Sequence, residues 1–294
     1  MYYAGIDIGG TTVKLGIFDE AGKMCKSSTV KTVRGDVHAL AERIAQGLQE
    51  MGLPFVTAGV CTAGCVNLRT GLVRASNLNW NDVPLAQILR EVLGCPVAMD
   101  NDAAGALMGE WKRGACQGEE NILYITLGTG VGGAFVVDGK PLRGHDNMGG
   151  EIGHIVTHAD GLPCPCGGYG CFEQYASATA LMRMAGGLDG AEVFARAAQG
   201  DVEMNRVLDV YAHELAIGIA NMMALLRFEV VVFGGGVSHA GEALLSRVRD
   251  QVYNHCPCLP GRSRPRIVCA SLGNSAGVIG AGMLAMELAE KHQA

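Results

Sequence analysis

The chain has 294 residues, of which 49% are hydrophobic and 18% are charged, and its formal net charge is −6. This much apolar material predicts packed cores and excludes a disordered chain, while the length favours two domains over one. The acidic balance, without a lysine- or arginine-rich cluster, disfavours a nucleic-acid partner, because binding phosphates requires clustered cations.

The first residues indicate a strand rather than a secretory leader, because no basic stretch precedes an apolar one. No apolar run approaches the roughly 18 residues of a membrane helix, so we expect no membrane partner. Eleven cysteines in such a chain predict reduced thiols and metal ligands rather than disulfides. A cytoplasmic location is the expectation that follows.

The chain contains an internal repeat. Residues 6–23 and 125–140 each read as an apolar strand, a Gly/Thr turn, a second apolar strand and a Gly-Lys hairpin end. Self-similarity on this scale predicts a duplicated domain rather than a solenoid. Because each turn offers backbone N–H groups and hydroxyls, we expect the two turns to hold a polyphosphate.

Strand and helix patterns alternate along the rest of the chain, which predicts α/β layers. Strand patterns lie near residues 55–61, 96–100, 121–127, 229–233 and 266–270. Helical patterns lie near residues 36–51, 84–94, 102–112, 175–185, 203–226, 240–253 and 276–290. We predict an N-terminal domain over residues 1–113 and a larger C-terminal domain over 114–275. The C-terminal helix, about 276–294, is expected to pack back on the first domain.

One histidine and three cysteines have the spacing of a zinc site: His154, Cys164, Cys166 and Cys171. Zinc takes thiolate and imidazole ligands tetrahedrally, so these four residues fill its coordination and predict one structural zinc per chain. The alternative is a surface loop with free thiols. A second C-x-C pair, Cys256 and Cys258, has no further ligand types nearby and carries little weight.

Two glutamates, Glu151 and Glu173, flank this zinc pattern without being needed for it. If one ring nitrogen of His154 binds zinc, the other carries a proton and donates. A fixed donor beside two carboxylate acceptors suits a polyhydroxyl ligand. For Glu151 alone, the alternative to ligand binding is that it is an acidic residue at the start of a helix.

The glycine-rich loops match neither of two common nucleotide-binding motifs in full. Gly128, Gly130 and Gly133 match G-x-G-x-x-G, but a strand follows them where a dinucleotide site requires a helix. No P-loop pattern occurs either. The residues 234–236 follow an apolar strand and would let a flat base approach the backbone, although a plain tight turn is the alternative.

Several motifs together resemble the ROK family of sugar kinases, and the match spans nearly the whole chain. They are IDIGGTTVK, NDAAGALMGE, LGTGVGG, GGEIGHI, C-x-C-G-x-x-G-C-x-E, ASATAL, FGGGVS and LGNSAGVIGA, in that order. Within the family, the chain looks most like the bacterial ATP-dependent glucokinases. The resemblance implies an actin/hexokinase-like (ribonuclease H-like) α/β fold, duplicated, with two domains and a central cleft.

The resemblance also implies an activity, which is ATP-dependent phosphorylation of a hexose at its 6-hydroxyl, giving glucose 6-phosphate from glucose. It implies hexose and ATP with Mg²⁺ as ligands, and a homodimer. Kinases for N-acetylmannosamine, allose or fructose are the nearest alternatives. A non-catalytic sugar-responsive regulator is disfavoured, because the family's repressors carry a DNA-binding extension that is not visible before the first strand.

The family's functional positions carry over residue by residue. Asp102 matches the catalytic base, although capping of a helix is the plain interpretation of Asn101 and Asp102. The expected sugar-binding residues are Asn77, Asn101, Asp102, Glu151, His154, Glu173 and Gly64. The expected ATP- and Mg²⁺-binding residues are Asp7, Gly9, Gly10, Thr11, Thr12, Lys14, Gly128, Thr129, Gly130, Gly132, Gly234, Gly235 and Gly236; for Lys14 a solvated strand residue is the alternative.

The chain departs from the family pattern in three places, one of which is Ala104, where the family commonly carries a larger polar residue after Asn-Asp-Ala. Residues 61–67, CTAGCVN, lack the prolines and the aspartate usual in this loop, so the preferred hexose stays open. Ser275 stands where glucokinases commonly carry aspartate, and the sequence gives no consequence for that change.

Overall fold

The computed structural model describes residues 1–146, 148–255 and 264–293, so the pair Cys256 and Cys258 lies outside the described residues. The chain divides into two compact units. Unit 1 comprises Met1–Gly118, Arg143–Gly149 and Leu272–Ala294, and unit 2 comprises Glu119–Leu142 and Gly150–Ser271. The domain boundary drawn from the sequence at residues 113 and 114 stays a prediction.

Strands and helices alternate over the described residues. The strands are β1 (Tyr3–Ile8), β2 (Thr12–Phe18), β3 (Met24–Lys31), β4 (Thr57–Thr62), β5 (Cys65–Asn67), β6 (Leu72–Ala75), β7 (Trp80–Val83), β8 (Val97–Asn101), β9 (Ile122–Leu127), β10 (Val131–Val137), β11 (Lys140–Leu142), β12 (Val230–Gly234) and β13 (Arg266–Cys269). The α-helices are α1 (Val37–Glu50), α2 (Leu85–Leu93), α3 (Asp102–Arg113), α4 (Glu173–Ala176), α5 (Ala178–Met184), α6 (Gly190–Ala198), α7 (Val202–Leu226), α8 (Glu242–His255) and α9 (Ala276–Gln293).

Unit 1 is built on a five-stranded sheet in the order β3-β2-β1-β4-β8. The first three strands pair antiparallel, and β1, β4 and β8 run parallel. Helix α9 packs against β1, β4 and α3. Gly59 permits this close approach, because a Cβ there would clash with the carbonyl oxygen of Ala281 in α9. The strands β5, β6 and β7 form a separate small sheet.

Unit 2 repeats the same architecture, with a five-stranded sheet in the order β11-β10-β9-β12-β13. Again the first three strands are antiparallel and the last three are parallel. The repeated sequence segments begin with β1 and β2 in one unit and with β9 and β10 in the other, which confirms the predicted duplication. Asp138 and Gly139 both have positive φ, 49° and 67°, as the predicted Asp-Gly hairpin turn requires.

The sequence prediction was wrong in several details. The helix predicted over residues 175–185 is two helices, because Ser177 caps α5 by accepting a hydrogen bond from the Ala180 N–H at 3.0 Å. Strand β3 and helix α6 were missed. Most residues of β3 are polar and exposed, and α6 is short, so neither has a strong apolar period. Among the described residues, none of the helices combines the length and hydropathy that a bilayer crossing requires.

Candidate active site

Two carboxylates and a thiol form a row across the sheet of unit 1. Asp7 on β1 is in register with Cys61 on β4, which is in register with Asp100 on β8. Each is the penultimate residue of its strand, so the row lies at the carboxyl ends of three parallel strands. Burial raises the pKa of the Cys61 thiol well above its usual value, and the carboxylates of Asp100, Asp7 and Asp102 raise it further. The thiol therefore stays protonated and is no nucleophile.

Asp7 lies where β1 meets the start of helix α9. A Cβ on Gly277, in the first turn of α9, would lie 2.7 Å from the Asp7 carboxyl carbon. Burial raises the pKa of the Asp7 carboxyl, while the ammonium of Lys14, 3.3 Å from its Oδ2, opposes that rise. Lys14 also donates to the carbonyl oxygen of Asn274 at 2.6 Å. Lys14 is thus held beside Asp7 and is not a freely solvated strand residue.

The first glycine-threonine turn, residues 9–12, joins β1 to β2. The Gly9 N–H donates to the Thr12 carbonyl oxygen at 3.0 Å, which closes the turn. Arg34 donates through Nε to the Gly10 carbonyl oxygen at 2.9 Å. The side chains of Thr11 and Thr12 are exposed. The structure therefore leaves hydroxyls of this turn accessible, as a phosphate-binding turn requires.

Asn77 and Gly64 lie in separate loops of unit 1. A Cβ on Gly10 would lie 3.4 Å from the Asn77 amide nitrogen, so Asn77 is close to the first glycine-threonine turn. Gly64 has a φ of +97° and approaches the carbonyl oxygen of Arg74 too closely for any side chain. Asn67 accepts hydrogen bonds from the N–H groups of Arg69 and Thr70, at 3.0 and 3.1 Å, and thereby shapes the turn between β5 and β6.

Asn101 and Asp102 lie at the junction of β8 and α3. Asn101 is the N-cap, and its Oδ1 accepts from the Ala104 N–H at 2.7 Å. Asp102 is the first residue of the helix, and its Oδ1 accepts from the Ala103 N–H at 2.8 Å. The capping interpretation is therefore correct for Asn101, and Asp102 is an exposed carboxylate in a fixed position.

The candidate metal centre lies in unit 2. The ligand atoms of His154, Cys164, Cys166 and Cys171 all lie within 4.8 Å of one another. The sulfurs of Cys166 and Cys171 are 3.7 Å apart, and the Cys164 sulfur is 3.8 Å from His154 Nδ1. Two sulfurs bound tetrahedrally to one zinc ion would lie about 3.8 Å apart. The donor set and its spacing therefore fit a zinc ion, with no protein ligand missing.

The cysteines of the candidate metal centre differ in their tendency to ionise. Burial raises the pKa of the Cys164 thiol to about 12, and its hydrogen bond to Glu173 adds to this effect. The Gly168 N–H lowers the pKa of the exposed Cys166 thiol. A divalent cation stabilises thiolates, so binding at this site would release protons.

Glu173 joins the metal centre to the second glycine-threonine turn, residues 128–130. Its Oε1 lies 3.0 Å from the Cys164 sulfur and 3.9 Å from His154 Nδ1. A Cβ on Gly130 would lie 2.6 Å from Oε2 of the same carboxylate. Glu151 immediately precedes the 3₁₀ turn Ile152–His154, and its side chain is exposed.

The second glycine-threonine turn is held by the ASATAL motif. The Ala178 N–H donates to the Gly128 carbonyl oxygen at 2.8 Å, and the Thr179 hydroxyl donates to the Thr129 carbonyl oxygen at 2.7 Å. Gly132 follows in β10, paired with Thr126. The motif thus has a local structural role, because its hydrogen bonds hold the carbonyl groups of the turn in place.

A cavity of about 560 Å³ lies in unit 2, at the ends of β9 and β12. It includes Gly128, Thr129 and Gly236 from the predicted nucleotide residues. Its other lining residues are Leu127, Ala178, Asp189, Gly190, Ala191, Phe194, Val237, His239 and Ala240. Gly234 ends β12, and Gly235 has a φ of +81° that turns the chain into the 3₁₀ helix Gly236–Ala240. Sequence reasoning missed the contributions of α6 to this cavity because α6 itself was not predicted.

The comparisons with known proteins agree with this geometry. The sequence model of the ROK family matches residues 3–288. The chain belongs to the ROK family. This ROK protein is 37% identical to a glucokinase of Halalkalibacterium halodurans, over 96% of this chain and 94% of the relative. It is 31% identical to an N-acetyl-D-glucosamine kinase of Shigella flexneri, over 97% of this chain and 99% of that one.

Solved structures of ROK proteins have the same fold. The ROK hexokinase of Thermus thermophilus matches with a TM-score of 0.88 at 33% identity, covering 99% of this chain and 100% of that one. A ROK glucokinase of Streptomyces griseus, in complex with glucose and AMPPNP, matches with a TM-score of 0.82 at 33% identity, covering 98% and 100%. These matches confirm the predicted actin/hexokinase-like fold class of this ROK protein.

Proposed function

We propose that this ROK protein phosphorylates a hexose at its 6-hydroxyl with ATP, and that glucose is its main substrate. The observation that carries the proposal is the exposed Asp102 carboxylate, fixed at the start of α3 beside the carboxylate row of unit 1. The identity to two glucokinases, 37% to that of Halalkalibacterium halodurans and 34% to that of Thermotoga maritima, supports the choice of glucose.

In this proposal Asp102 is the catalytic base. A sugar hydroxyl is a poor nucleophile, and an aspartate is a weak base. Phosphoryl transfer nevertheless needs mainly an oriented hydroxyl whose proton is accepted late in the reaction. The hydrogen bond from the Ala103 N–H holds one oxygen of Asp102, so that the direction of the carboxylate is fixed before substrate binds.

The residues assigned to sugar recognition are Asn77, Asn101, Asp102 and Gly64 in unit 1, and Glu151, His154 and Glu173 in unit 2. Because Nδ1 of His154 faces the Cys164 sulfur, Nε2 is the ring nitrogen that donates to a sugar hydroxyl. The carboxylates accept hydrogen bonds from further hydroxyls.

ATP binding is assigned to the glycine-rich segments. The cavity formed by α6, Gly236 and the second glycine-threonine turn takes the base, since its lining is largely apolar or backbone. In each unit, the N–H groups and hydroxyls of the glycine-threonine turn are the groups assigned to phosphate. Asp7 holds the Mg²⁺ that accompanies ATP, and Lys14 beside it adds a positive charge.

We also propose that the ion in the metal centre is zinc and that it is structural. Four protein ligands close a tetrahedral site, so the ion would present no open position to substrate. A purified sample should contain about one zinc per chain, and chelation should lower both thermal stability and sugar affinity. If removal of zinc left the sugar affinity unchanged, the proposed role of His154 in sugar binding would be wrong.

The substrate assignment is tested with a hexose panel. Steady-state kcat/KM with ATP should be highest for glucose and lower for N-acetylglucosamine, N-acetylmannosamine, allose, mannose and fructose. A higher kcat/KM for one of the others would keep the kinase proposal and replace its substrate. No turnover with any sugar would overturn the function. A homodimer, proposed from the family resemblance alone, is tested by sedimentation velocity.

A further inference from the structure

The residue before the predicted sugar-binding pair, Asp100, is a buried carboxylate held by hydrogen bonds. The Asp100 side chain is only 3% exposed. Its Oδ1 accepts from the Asn101 N–H at 2.9 Å, and its Oδ2 pairs with the guanidinium of Arg143. A buried carboxylate is destabilising unless it is paired, so the Arg143 guanidinium supplies a partner that this burial requires.

Arg143 comes from a separate part of the chain. The segment Arg143–Gly149 belongs to unit 1, although both neighbouring stretches of sequence belong to unit 2. A second contact of this segment joins His145 Nε2 to Arg69 Nη1 at 3.0 Å. This second contact is exposed, and it involves no buried carboxylate. Arg143, which belongs to the segment, and Arg69, which contacts the segment through His145, therefore offer a matched comparison.

We propose that Arg143, acting through Asp100, is a positioning residue for Asn101 and Asp102. The proposal rests on the function proposed above. Asp100 Oδ1 orients the Asn101 peptide, Asn101 caps α3, and Asp102 is the first residue of that helix. Each step is a direct hydrogen bond or a chain neighbour, so the geometry of Asp102 depends on where the Asp100 carboxylate is held.

We expect the ion pair to act electrostatically on Asp102 as well. The titratable and charged groups at the carboxyl ends of β1, β4 and β8 include Asp7 with Lys14, Cys61 and Asp100, and Asp102 follows at the start of α3. The carboxylates of Asp100, Asp7 and Asp102 all act on the Cys61 thiol, and Arg143 opposes them. Without Arg143, Asp100 would lose the guanidinium that pairs with its Oδ2, and repulsion between the carboxylates of Asp100 and Asp102 would favour protonation of Asp102.

Four variants test the proposal: Arg143→Met, Asp100→Asn, the double variant of both, and the control Arg69→Met. We expect Arg143→Met to lower kcat about tenfold or more, with KM for ATP unchanged within about twofold, because binding of the nucleotide does not use this junction. The acid limb of its pH–rate profile should move up by about one unit. The double variant should recover most of the lost kcat, because the amide keeps an acceptor for the Asn101 N–H and removes the charge of Asp100.

Arg69→Met is the control, and three results would contradict the positioning role of Arg143. Arg69→Met should keep kcat within about twofold of wild type, since it leaves no charge buried. Equal losses in Arg143→Met and Arg69→Met, an unmoved acid limb, or additive losses in the double variant would each overturn the positioning role.

A measurement without turnover separates this inference from the proposed function. The ¹³C signal of the Asp102 carboxyl, assigned through Asp102→Asn, is titrated in wild type and in Arg143→Met. An upward shift of the midpoint in the variant, reversed by Asp100→Asn, supports the coupling even if wild type phosphorylates no hexose. Identical midpoints would contradict the coupling even if wild type is an active kinase.

Discussion

At the scale of the residue, the ionised carboxylate that Asp7 needs for its proposed role in Mg²⁺ binding lowers the stability of the fold. Burial raises the pKa of its carboxyl above the unfolded value, so the fold favours the protonated form. The stability contributed by this protonation is fully present below the unfolded pKa, near 4, and is lost as pH rises through the folded pKa. At neutral pH the ionised carboxylate therefore destabilises the fold, which is the stability cost expected of the Mg²⁺ ligand proposed for this position.

The first prediction follows from the destabilising effect of ionised Asp7 at neutral pH. Asp7→Asn should be more stable than wild type at pH 7, and the difference should shrink towards pH 4, where wild type is protonated as well. Activity should nevertheless be lost. Denaturant unfolding at both pH values measures the difference, and a variant that is less stable than wild type at pH 7 would show that the pair with Lys14 outweighs burial.

The second glycine-threonine turn offers a matched pair of glycines for the second prediction. Gly130→Ala would bring its Cβ within 2.6 Å of the Glu173 carboxylate, whereas a Cβ on Gly128 meets nothing within 4 Å. Gly130→Ala should therefore cost about 1–3 kcal/mol of unfolding free energy through overpacking. Gly128→Ala should stay within about 0.5 kcal/mol of wild type. Equal effects in thermal or denaturant unfolding would show that Glu173 moves aside freely.

Much of the candidate site was predictable at this scale, because chemistry leaves marks in local sequence. The four residues of the candidate metal centre and the Asn101–Asp102 pair are close in sequence or follow a recognisable pattern. Arg143 was not predictable, because its partner Asp100 is 43 residues away and neither residue belongs to a motif with a known function. Pairing across such a distance is set by the fold and not by local spacing.

At the scale of the element, the ASATAL motif fixes the second glycine-threonine turn. Thr179→Val removes the hydroxyl that holds the Thr129 carbonyl oxygen at 2.7 Å. We expect KM for ATP to rise severalfold, while KM for glucose stays within about twofold, because the loss of one hydrogen bond costs about 1 kcal/mol. Ser246→Ala removes a similar hydroxyl-to-carbonyl bond on α8 and serves as the control. Equal rises in both KM values for Thr179→Val would indicate general loosening.

The element scale also shows where sequence patterns fail. Strands β1, β4, β9 and β12 are buried over nearly their full length, so their apolar runs were read correctly. Strand β3 lies at a sheet edge with alternating polar residues, which a loop would show as well. The break between α4 and α5 depends on one capping hydrogen bond, and that bond is visible only once Ser177 has non-helical backbone.

At the scale of the whole molecule, one architecture occurs twice with different functional additions. Both sheets have the same strand order, and each places a glycine-threonine turn between its first two strands. Unit 1 adds the carboxylate row and the Asn101–Asp102 junction, whereas unit 2 adds the metal centre and the cavity assigned to the base. A fold that occurs twice, with different proposed roles in the two units, agrees with membership of the ROK family.

The most direct test of the account is the kinetics of Asp102→Asn with ATP and glucose. The substitution preserves shape and the hydrogen bond from Ala103 but removes the base, so kcat should fall by about 10²–10⁴-fold. Glucose affinity, measured by calorimetry, should stay within severalfold of wild type. Asp36→Asn, which changes a carboxylate at the start of α1, should leave kcat unchanged and thereby separates helix capping from catalysis. Turnover by Asp102→Asn above about one tenth of the wild-type rate would contradict the catalytic role of Asp102.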